Sequence, residues 1–358
     1  YANRSDTTGY FDSDGGELGT YVYVYLGNNV FAYYDESGAY RSDCSRINVL
    51  IGKNNVGKSS ILESIFLITG MSNSQLPLQI NILRDINPQS LSNLKYLFYN
   101  MDTQLHPSVR LVFSNDYERG LTLSPLTQTI SDLAASTKTV NSGALQSMIG
   151  LLLDFYEKSP GRDREQYQSK LDFLANGAIV PSIDNHYFEE IYATYLHSDN
   201  SKTNHIEAVS KIVKEKKSDD LISLIAKFDP DIESFNLLPD GLYLGKKGFD
   251  KLMLSNVAGD GMRKFITIIA NTIANQNSVV LIDEIENGIH YSSYPLLWET
   301  LFESAQKSEN QLFITTHSWE ELVALQYVDP DTGEPTETYP DNPNGSPLAC
   351  AGLTDPTG

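Results

Sequence analysis

The chain of 358 residues is long enough for one large or two medium-sized domains, and its hydrophobic content of 41% is ordinary for a globular protein. No stretch approaches the roughly 18 apolar residues of a membrane span, and the first residues do not resemble a signal peptide, so we expect a cytoplasmic protein without a membrane partner. The net charge of −20 argues against a broad surface for nucleic acid, although it leaves room for a local basic groove, and two cysteines are too few for a disulfide framework or a zinc cluster.

Both ends of the chain differ in composition from its middle. The first lysine is Lys53 and the last is Lys307, and residues 329–358 contain acidic side chains but no basic one. Residues 1–43 are predicted to form a tyrosine-rich β-hairpin segment, with strands at 21–26 and 30–34. This hairpin is either an edge that leads into the next strand or a separate module. Residues 329–358 are predicted to form a Pro/Gly-rich tail, and the unusual ends also raise the hypothesis of foreign termini.

The clearest motif is a phosphate-binding loop near the start of the middle region. An apolar strand at 47–51 precedes the pattern G-x-x-x-x-G-K-[ST], and a helix at 60–69 follows it. Glycines let backbone N–H groups surround an anion, lysine reaches the β- and γ-phosphates, and the hydroxyl is a hard ligand for Mg²⁺. The alternative is a chance match in a Gly/Asn-rich turn. The predicted ATP–Mg²⁺ cradle comprises Gly52, Asn54, Asn55, Val56, Gly57, Lys58, Ser59 and Ser60.

The middle region divides by pattern into two parts of a core and an insertion. Residues 44–125 are predicted to form the N-terminal part of the core, with strands at 108–113 and 120–123. Residues 126–240 are predicted to be a mostly helical insertion, with helices at 144–158, 164–174, 187–196, 206–216 and 219–228. Lysines at 211–217 are either a nucleic-acid face or, as the interleaved acidic residues favour, a solvated helix end. Residues 241–328 are predicted to complete the core.

A Ser/Gly-rich loop opens the second part of the core. Ser255, Gly259 and Gly261 precede a helix at 264–275 with a regular apolar face. A loop of this kind at a helix N-terminus is a second anion site. In a conventional sheet it does not easily reach the phosphate held by its own chain, so we predict that it serves the nucleotide of a partner subunit.

Two buried strands then end in groups suited to hydrolysis. The strand at 278–282 runs into Asp283, which can hold Mg²⁺, and Glu284, which can deprotonate the attacking water. The strand at 311–316 ends at His317, which can bind the γ-phosphate or the water. A helix at 294–308 separates the strands, so right-handed crossover makes them parallel and places these groups on one sheet edge. The alternatives are solvated carboxylates and a structural histidine.

The order of these motifs resembles the ABC-type ATPases related to SMC, RecF and the OLD family, and most of all the stand-alone bacterial ATPases of the OLD-like group. The similarity covers roughly residues 45–325. It is carried by the phosphate loop, by Thr315-Thr316-His317-Ser318-Trp319 and above all by Asp283-Glu284-Ile285-Glu286-Asn287-Gly288-Ile289-His290.

This resemblance implies an α/β fold, a P-loop NTPase of the ABC ATPase head type with a mixed sheet. It also implies the roles of the site residues: Lys58 on phosphate, Ser59 and Asp283 on Mg²⁺, Glu284 as catalytic base and His317 as switch histidine. Asn287 to His290, in the turn after Glu284, would form the D-loop at a dimer interface. The Ser/Gly loop would act as the signature loop in trans, although Asn256-Val257-Ala258 and Asp260 depart from the usual signature sequence. Gln75 and Gln79 are the candidates for the Q-loop, by their distance from Lys58.

The resemblance further implies a homodimer or higher homo-oligomer whose ATP-driven closure controls a separate effector, a nuclease or toxin, in bacterial anti-phage defence. The first alternative is a RecF-like DNA-repair ATPase that nucleic acid stimulates. The second is a nucleotide-stabilised scaffold with little turnover.

Overall fold

The computed structural model describes residues 21–25, 30–34, 40–41, 46–51, 57–113, 116–129, 146–184, 186–199 and 205–318. The hairpin predicted near the N-terminus is confirmed, and a third short strand extends it into a small antiparallel sheet. The predictions for residues 1–20 and 329–358 lie outside the described residues.

The strands are β1 (Tyr21–Tyr25), β2 (Val30–Tyr34), β3 (Tyr40–Arg41), β4 (Ile47–Ile51), β5 (Ser108–Val112), β6 (Glu118–Thr129), β7 (Gln146–Lys158), β8 (Glu165–Phe173), β9 (Ile179–Ile183), β10 (Ala193–Leu196), β11 (Ile232–Leu238), β12 (Gly241–Lys246), β13 (Met253–Leu254), β14 (Val279–Ile282) and β15 (Gln311–Thr316).

The described residues also form six α-helices. They are α1 (Lys58–Thr69), α2 (Leu76–Leu83), α3 (His205–Lys214), α4 (Ser218–Phe228), α5 (Asp260–Ala274) and α6 (Tyr294–Lys307). Short 3-10 helices occupy Leu91–Leu97, Tyr99–Met101, Ser255–Val257 and Tyr291–Ser293. Within the described ranges, no helix combines the length and the apolar content needed to cross a bilayer.

A four-stranded parallel sheet is the centre of the fold. Its strand order is β10-β14-β15-β4, and all three pairings are parallel. The strand–helix–strand unit predicted from β14 through α6 to β15 is therefore confirmed. Because β15 lies between β14 and β4, the strand that ends at His317 separates the acidic pair from the strand that leads into the glycine loop. All four carboxyl ends share one edge of the sheet.

Both faces of this sheet are buried, which explains why its strands are mostly apolar. On β14, Val280 and Ile282 pack into the core that contains α5 and α6, whereas Val279 and Leu281 pack into the core that contains α1. All four side chains are at most 9% exposed. This packing fixes where the strand ends, and with it the position of Asp283.

The prediction of a mostly helical insertion is wrong for residues 146–196. The chain there forms β7, β8, β9 and β10, and an antiparallel sheet of order β5-β6-β7-β8-β9 joins the first three of these to the strands that precede them. The predicted boundary at 125/126 falls inside β6. On β7, Leu151, Leu153 and Phe155 alternate as buried residues at period two, but the intervening Leu152 makes the run look like one face of a helix.

The remaining helical predictions are confirmed. Helices α3 and α4 lie within a few residues of their expected bounds and pack with α5 in one core. Strands β11, β12 and β13 form a small antiparallel sheet beside them. The chain is therefore an α/β protein, as expected, but its insertion is partly an antiparallel sheet.

Candidate active site

The glycine loop leads directly into α1 at the carboxyl edge of the parallel sheet. Gly57 is the residue before the helix and has φ +98°, a region that favours glycine because a Cβ would be strained there. Its carbonyl accepts the N–H of Ile61 at 3.1 Å, which closes the first turn. Lys58, Ser59 and Ser60 therefore lie in the first turn of α1. The predicted cradle residues Gly52, Asn54, Asn55 and Val56 lie outside the described residues, so their role stays a prediction.

Asp283 connects three elements of the site. Its Oδ1 accepts a hydrogen bond from Ser59 Oγ at 3.1 Å and another from Thr315 Oγ1 at 2.6 Å, while its Oδ2 accepts one from Tyr195 OH at 3.3 Å. The residue is 5% exposed. The two residues predicted to hold Mg²⁺ are thus in direct contact, although they are 224 positions apart in the sequence.

The donor set of this contact fits Mg²⁺. A serine hydroxyl and a carboxylate are hard oxygen ligands, and Mg²⁺ in nucleotide sites takes one or two such protein ligands, with phosphates and waters completing its octahedron. Across the described ranges, no group of three or more His, Cys, Asp or Glu side chains could hold a metal by itself. The Ser59–Asp283 pair is therefore suited to a metal whose remaining ligands come from a bound nucleotide and from water.

The chain turns sharply after Asp283. Glu284 has φ +46°, uncommon for a residue with a side chain, and its N–H donates to Thr315 Oγ1 at 2.8 Å. The next N–H, of Ile285, donates to the carbonyl of Thr315 at 3.1 Å. These bonds hold the turn against the end of β15, so Glu284 and His317 leave neighbouring strands at the same edge.

Two lysines lie among the acidic groups of this edge. Burial lowers the pKa of Lys58, although Glu284, Glu286 and Asp283 act in the opposite direction. Burial likewise lowers the pKa of Lys264, on α5, to about 8 against the attraction of the same three carboxylates. The same three carboxylates therefore act on both ammonium groups.

The Ser/Gly loop lies at the start of α5. Ser255 is buried in its own 3-10 turn, and Gly259 (φ +100°) precedes α5. A Cβ at Gly261 would lie 3.1 Å from the carbonyl oxygen of Gly288, so this glycine lets the start of α5 approach the turn after Glu284. The loop therefore lies beside the segment expected at a dimer interface. The binding of this loop to a partner's nucleotide stays a prediction. The Q-loop role of Gln75 and Gln79 also stays a prediction; both residues are exposed, the first just before α2 and the second within it.

Sequence reasoning misses four residues of this site: Tyr195, Lys264, Glu286 and Thr315. Tyr195 lies on β10, where the sequence pattern predicts a helix, so its proximity to Asp283 cannot be expected from that pattern. The carbonyl of Leu196 accepts the N–H of Asp283 at 2.9 Å, and His197 O lies 3.5 Å from Lys264 Nζ. Recognition of 193–196 as a buried parallel strand beside β14 would have placed Tyr195 at the site.

Comparisons with known proteins indicate the class of protein that this chain is similar to. Residues 152–324 match the family described as "AAA domain, putative AbiEii toxin, Type IV TA system". The chain is 24% identical over 314 residues to an "ATP/GTP phosphatase" of Helicobacter pylori, a match that spans 79% of this chain and 82% of that protein. The chain is therefore an α/β protein that is similar over most of its length to a nucleoside triphosphatase. Both comparisons agree with the ATPase class predicted from the sequence.

Two further similarities are more limited. A crystal structure of the SMC head bound to the C-winged helix domain of ScpA aligns with a TM-score of 0.39 and 14% identity, over 78% of this chain and 85% of that one. A stretch of 39 residues is 64% identical to the phosphoribosylformylglycinamidine synthase of Drosophila melanogaster, which is 11% of this chain and 3% of that protein. The second match does not extend over a domain.

Proposed function

We propose that the protein binds ATP with Mg²⁺ and hydrolyses it to ADP and phosphate at the carboxyl edge of its parallel sheet. The single observation that carries this proposal is the 3.1 Å hydrogen bond from Ser59 Oγ to Asp283 Oδ1, which joins the end of the glycine loop to the acidic pair. A nucleotide hydrolase needs these groups around one triphosphate. The H. pylori relative, named for the same reaction, supports the substrate class.

Each residue has a role that its position supports. The N-terminus of α1 and the ammonium group of Lys58 bind phosphate oxygens, where positive charge stabilises the transferring group. Ser59 and Asp283 would hold Mg²⁺, which neutralises developing charge on phosphate when it is bound. Glu284 accepts the proton of the attacking water, and His317 binds the γ-phosphate or that water. The turn after Asp283 is anchored to Thr315 of β15, which supports a fixed position for the base.

We further propose that two copies close around two nucleotides and that closure controls an effector protein, a nuclease or toxin, in anti-phage defence. The contact between Gly261 and the turn at Gly288 supports the first part, because it joins the Ser/Gly loop to the segment expected at the dimer interface. The matched family, whose description names a putative toxin of a toxin–antitoxin system, supports the second part.

The test of hydrolysis is ATP turnover by Lys58→Ala. We expect turnover to fall at least about a hundredfold, because the phosphate loses its principal charge partner. Lys170→Ala is the matched control: this lysine is exposed on β8, and its loss should leave turnover at the wild-type rate. Wild-type turnover in Lys58→Ala would show that the measured activity belongs to another site.

A further inference from the structure

Glu286 is a buried carboxylate to which the proposed hydrolysis assigns no role. The residue is 8% exposed and follows the catalytic base by two positions. Its Oε1 accepts the backbone N–H of His317 at 2.8 Å, and Nδ1 of the same histidine lies 2.7 Å from that oxygen. Its Oε2 is buried and has no hydrogen-bond partner in the described part of the chain. Oε1 of Glu286 thus contacts both the backbone N–H and the ring of His317.

The surrounding backbone fixes this contact. Glu284 and Ile285 each donate an N–H to Thr315, by its hydroxyl and its carbonyl respectively, so the turn that carries Glu286 is anchored to β15. The carbonyl of Glu286 also accepts the N–H of Ile289 at 3.0 Å. The carboxylate therefore approaches His317 from a rigid support.

The ring of His317 needs such an anchor. Its side chain is 42% exposed, against 7% for that of Glu286, so packing alone does not restrict the imidazole. The contact occupies Nδ1, while Nε2 makes no hydrogen bond to the residues that the structure describes. A carboxylate on one ring nitrogen sets which nitrogen is presented to a ligand and how the ring is oriented.

We propose that Glu286 is a positioning residue that orients the His317 ring and thereby leaves Nε2 to bind the γ-phosphate or the attacking water. This inference rests on the proposed hydrolysis of ATP. Glu286 itself does not touch the reacting atoms. Its effect on turnover passes through His317, which distinguishes it from a carboxylate that only stabilises the fold.

The kinetic test is a double-mutant cycle between Glu286 and His317. We expect Glu286→Ala to lower kcat by about 10- to 100-fold with KM changed less than about threefold, since the ring is misplaced rather than lost. In a His317→Ala background the same substitution should cause no further loss. Glu286→Gln keeps the volume and one acceptor oxygen, so it should recover part of the rate and serve as the variant if Glu286→Ala does not fold. The inference would be overturned if the double variant lost kcat by the product of the two single losses. It would also be overturned if Glu286→Ala raised KM and left kcat unchanged.

A second readout does not depend on turnover. The chain has six histidines, so ¹⁵N-labelled imidazole signals can be assigned by the loss of one signal in His317→Ala. We expect the His317 Nδ1 signal of the nucleotide-free protein to shift in Glu286→Ala and to stay in place in Glu233→Gln, where the lost carboxylate is exposed on β11. An unchanged signal in Glu286→Ala would overturn the role of Glu286. A wild-type protein without ATP turnover would instead contradict the proposed function, whatever the spectrum shows.

Discussion

At the scale of single residues, the site is preorganised around one carboxylate. Asp283 receives hydrogen bonds from α1, β10 and β15, so its orientation is set by three elements before any ligand binds. Thr315 is central to this arrangement because its hydroxyl donates to Asp283 and accepts from the N–H of Glu284. One buried hydroxyl thus couples the proposed metal ligand to the proposed catalytic base.

Thr315→Val should therefore lower the free energy of unfolding by about 1–3 kcal/mol, because a buried carboxylate and a buried N–H both lose a partner while the side-chain shape is kept. Urea unfolding without nucleotide measures this. Thr300→Val is the matched control: Thr300 is equally buried, but its hydroxyl bonds to the carbonyl four residues earlier in α6 and to no group of the site. Equal losses in the two variants would contradict a special role for Thr315.

The buried amine of Lys264 predicts a pH dependence of stability. Burial lowers its pKa from 10.5 in the unfolded chain to about 8 in the folded protein. Below pH 8 both states carry the charge and the folded state bears the full burial cost. Above pH 10.5 both are neutral and the cost disappears. The free energy of unfolding of the wild type minus that of Lys264→Met should thus rise with pH across this window, by up to about 3 kcal/mol.

Chemical unfolding at several pH values between 7.5 and 10.5, without metal or nucleotide, measures this difference. Lys170→Met, at an exposed position, is the matched control and should give a difference that does not change with pH. A flat difference for Lys264→Met would show that its amine keeps its ordinary pKa in the folded protein.

At the scale of elements, the sequence predicts three of the four parallel strands, whereas β7, β8 and β10 are predicted as helices. Strands β4, β14 and β15 are buried in the central sheet, so each is a mostly apolar run that precedes a motif residue. On β8, the core-facing position between Tyr167 and Leu171 is Ser169, which is 1% exposed and donates to the carbonyl of Ser72. A buried serine interrupts the period-two pattern, and its tertiary hydrogen bond cannot be seen in the sequence.

The glycine that precedes α5 gives a prediction about this element. Gly259 has φ +100° and ψ 154°, a backbone conformation essentially restricted to glycine. Gly259→Ala should cost about 1–3 kcal/mol of local strain and should lower ATP turnover, because the Ser/Gly loop is proposed to meet a partner's nucleotide. Steady-state turnover measures this.

Gly177→Ala is the control for this substitution. Gly177 also has a positive φ, +82°, and a Cβ added there would meet open space. It lies in the turn before β9, away from the proposed loop. The variant should lose stability but keep its turnover once folded. Equal losses of turnover in the two variants would assign the effect to strain alone.

At the scale of the whole molecule, we expect the oligomeric state to follow the nucleotide. Glu284→Gln should bind ATP without hydrolysing it, so two copies should stay closed and elute as a dimer in size-exclusion chromatography with ATP and Mg²⁺. Lys58→Ala under the same conditions should elute as a monomer, because it lacks the principal phosphate contact. Identical elution of the two variants would contradict nucleotide-driven closure.

The most direct test of the central claim is the ATP turnover of Glu284→Gln, measured together with its affinity for ATP. If the acidic pair, the phosphate-binding lysine and His317 act on one triphosphate, the variant should keep an affinity within about threefold of the wild type and lose at least about a hundredfold in turnover, since only the base is changed. Turnover at the wild-type rate with unchanged affinity would contradict hydrolysis at this site by Glu284.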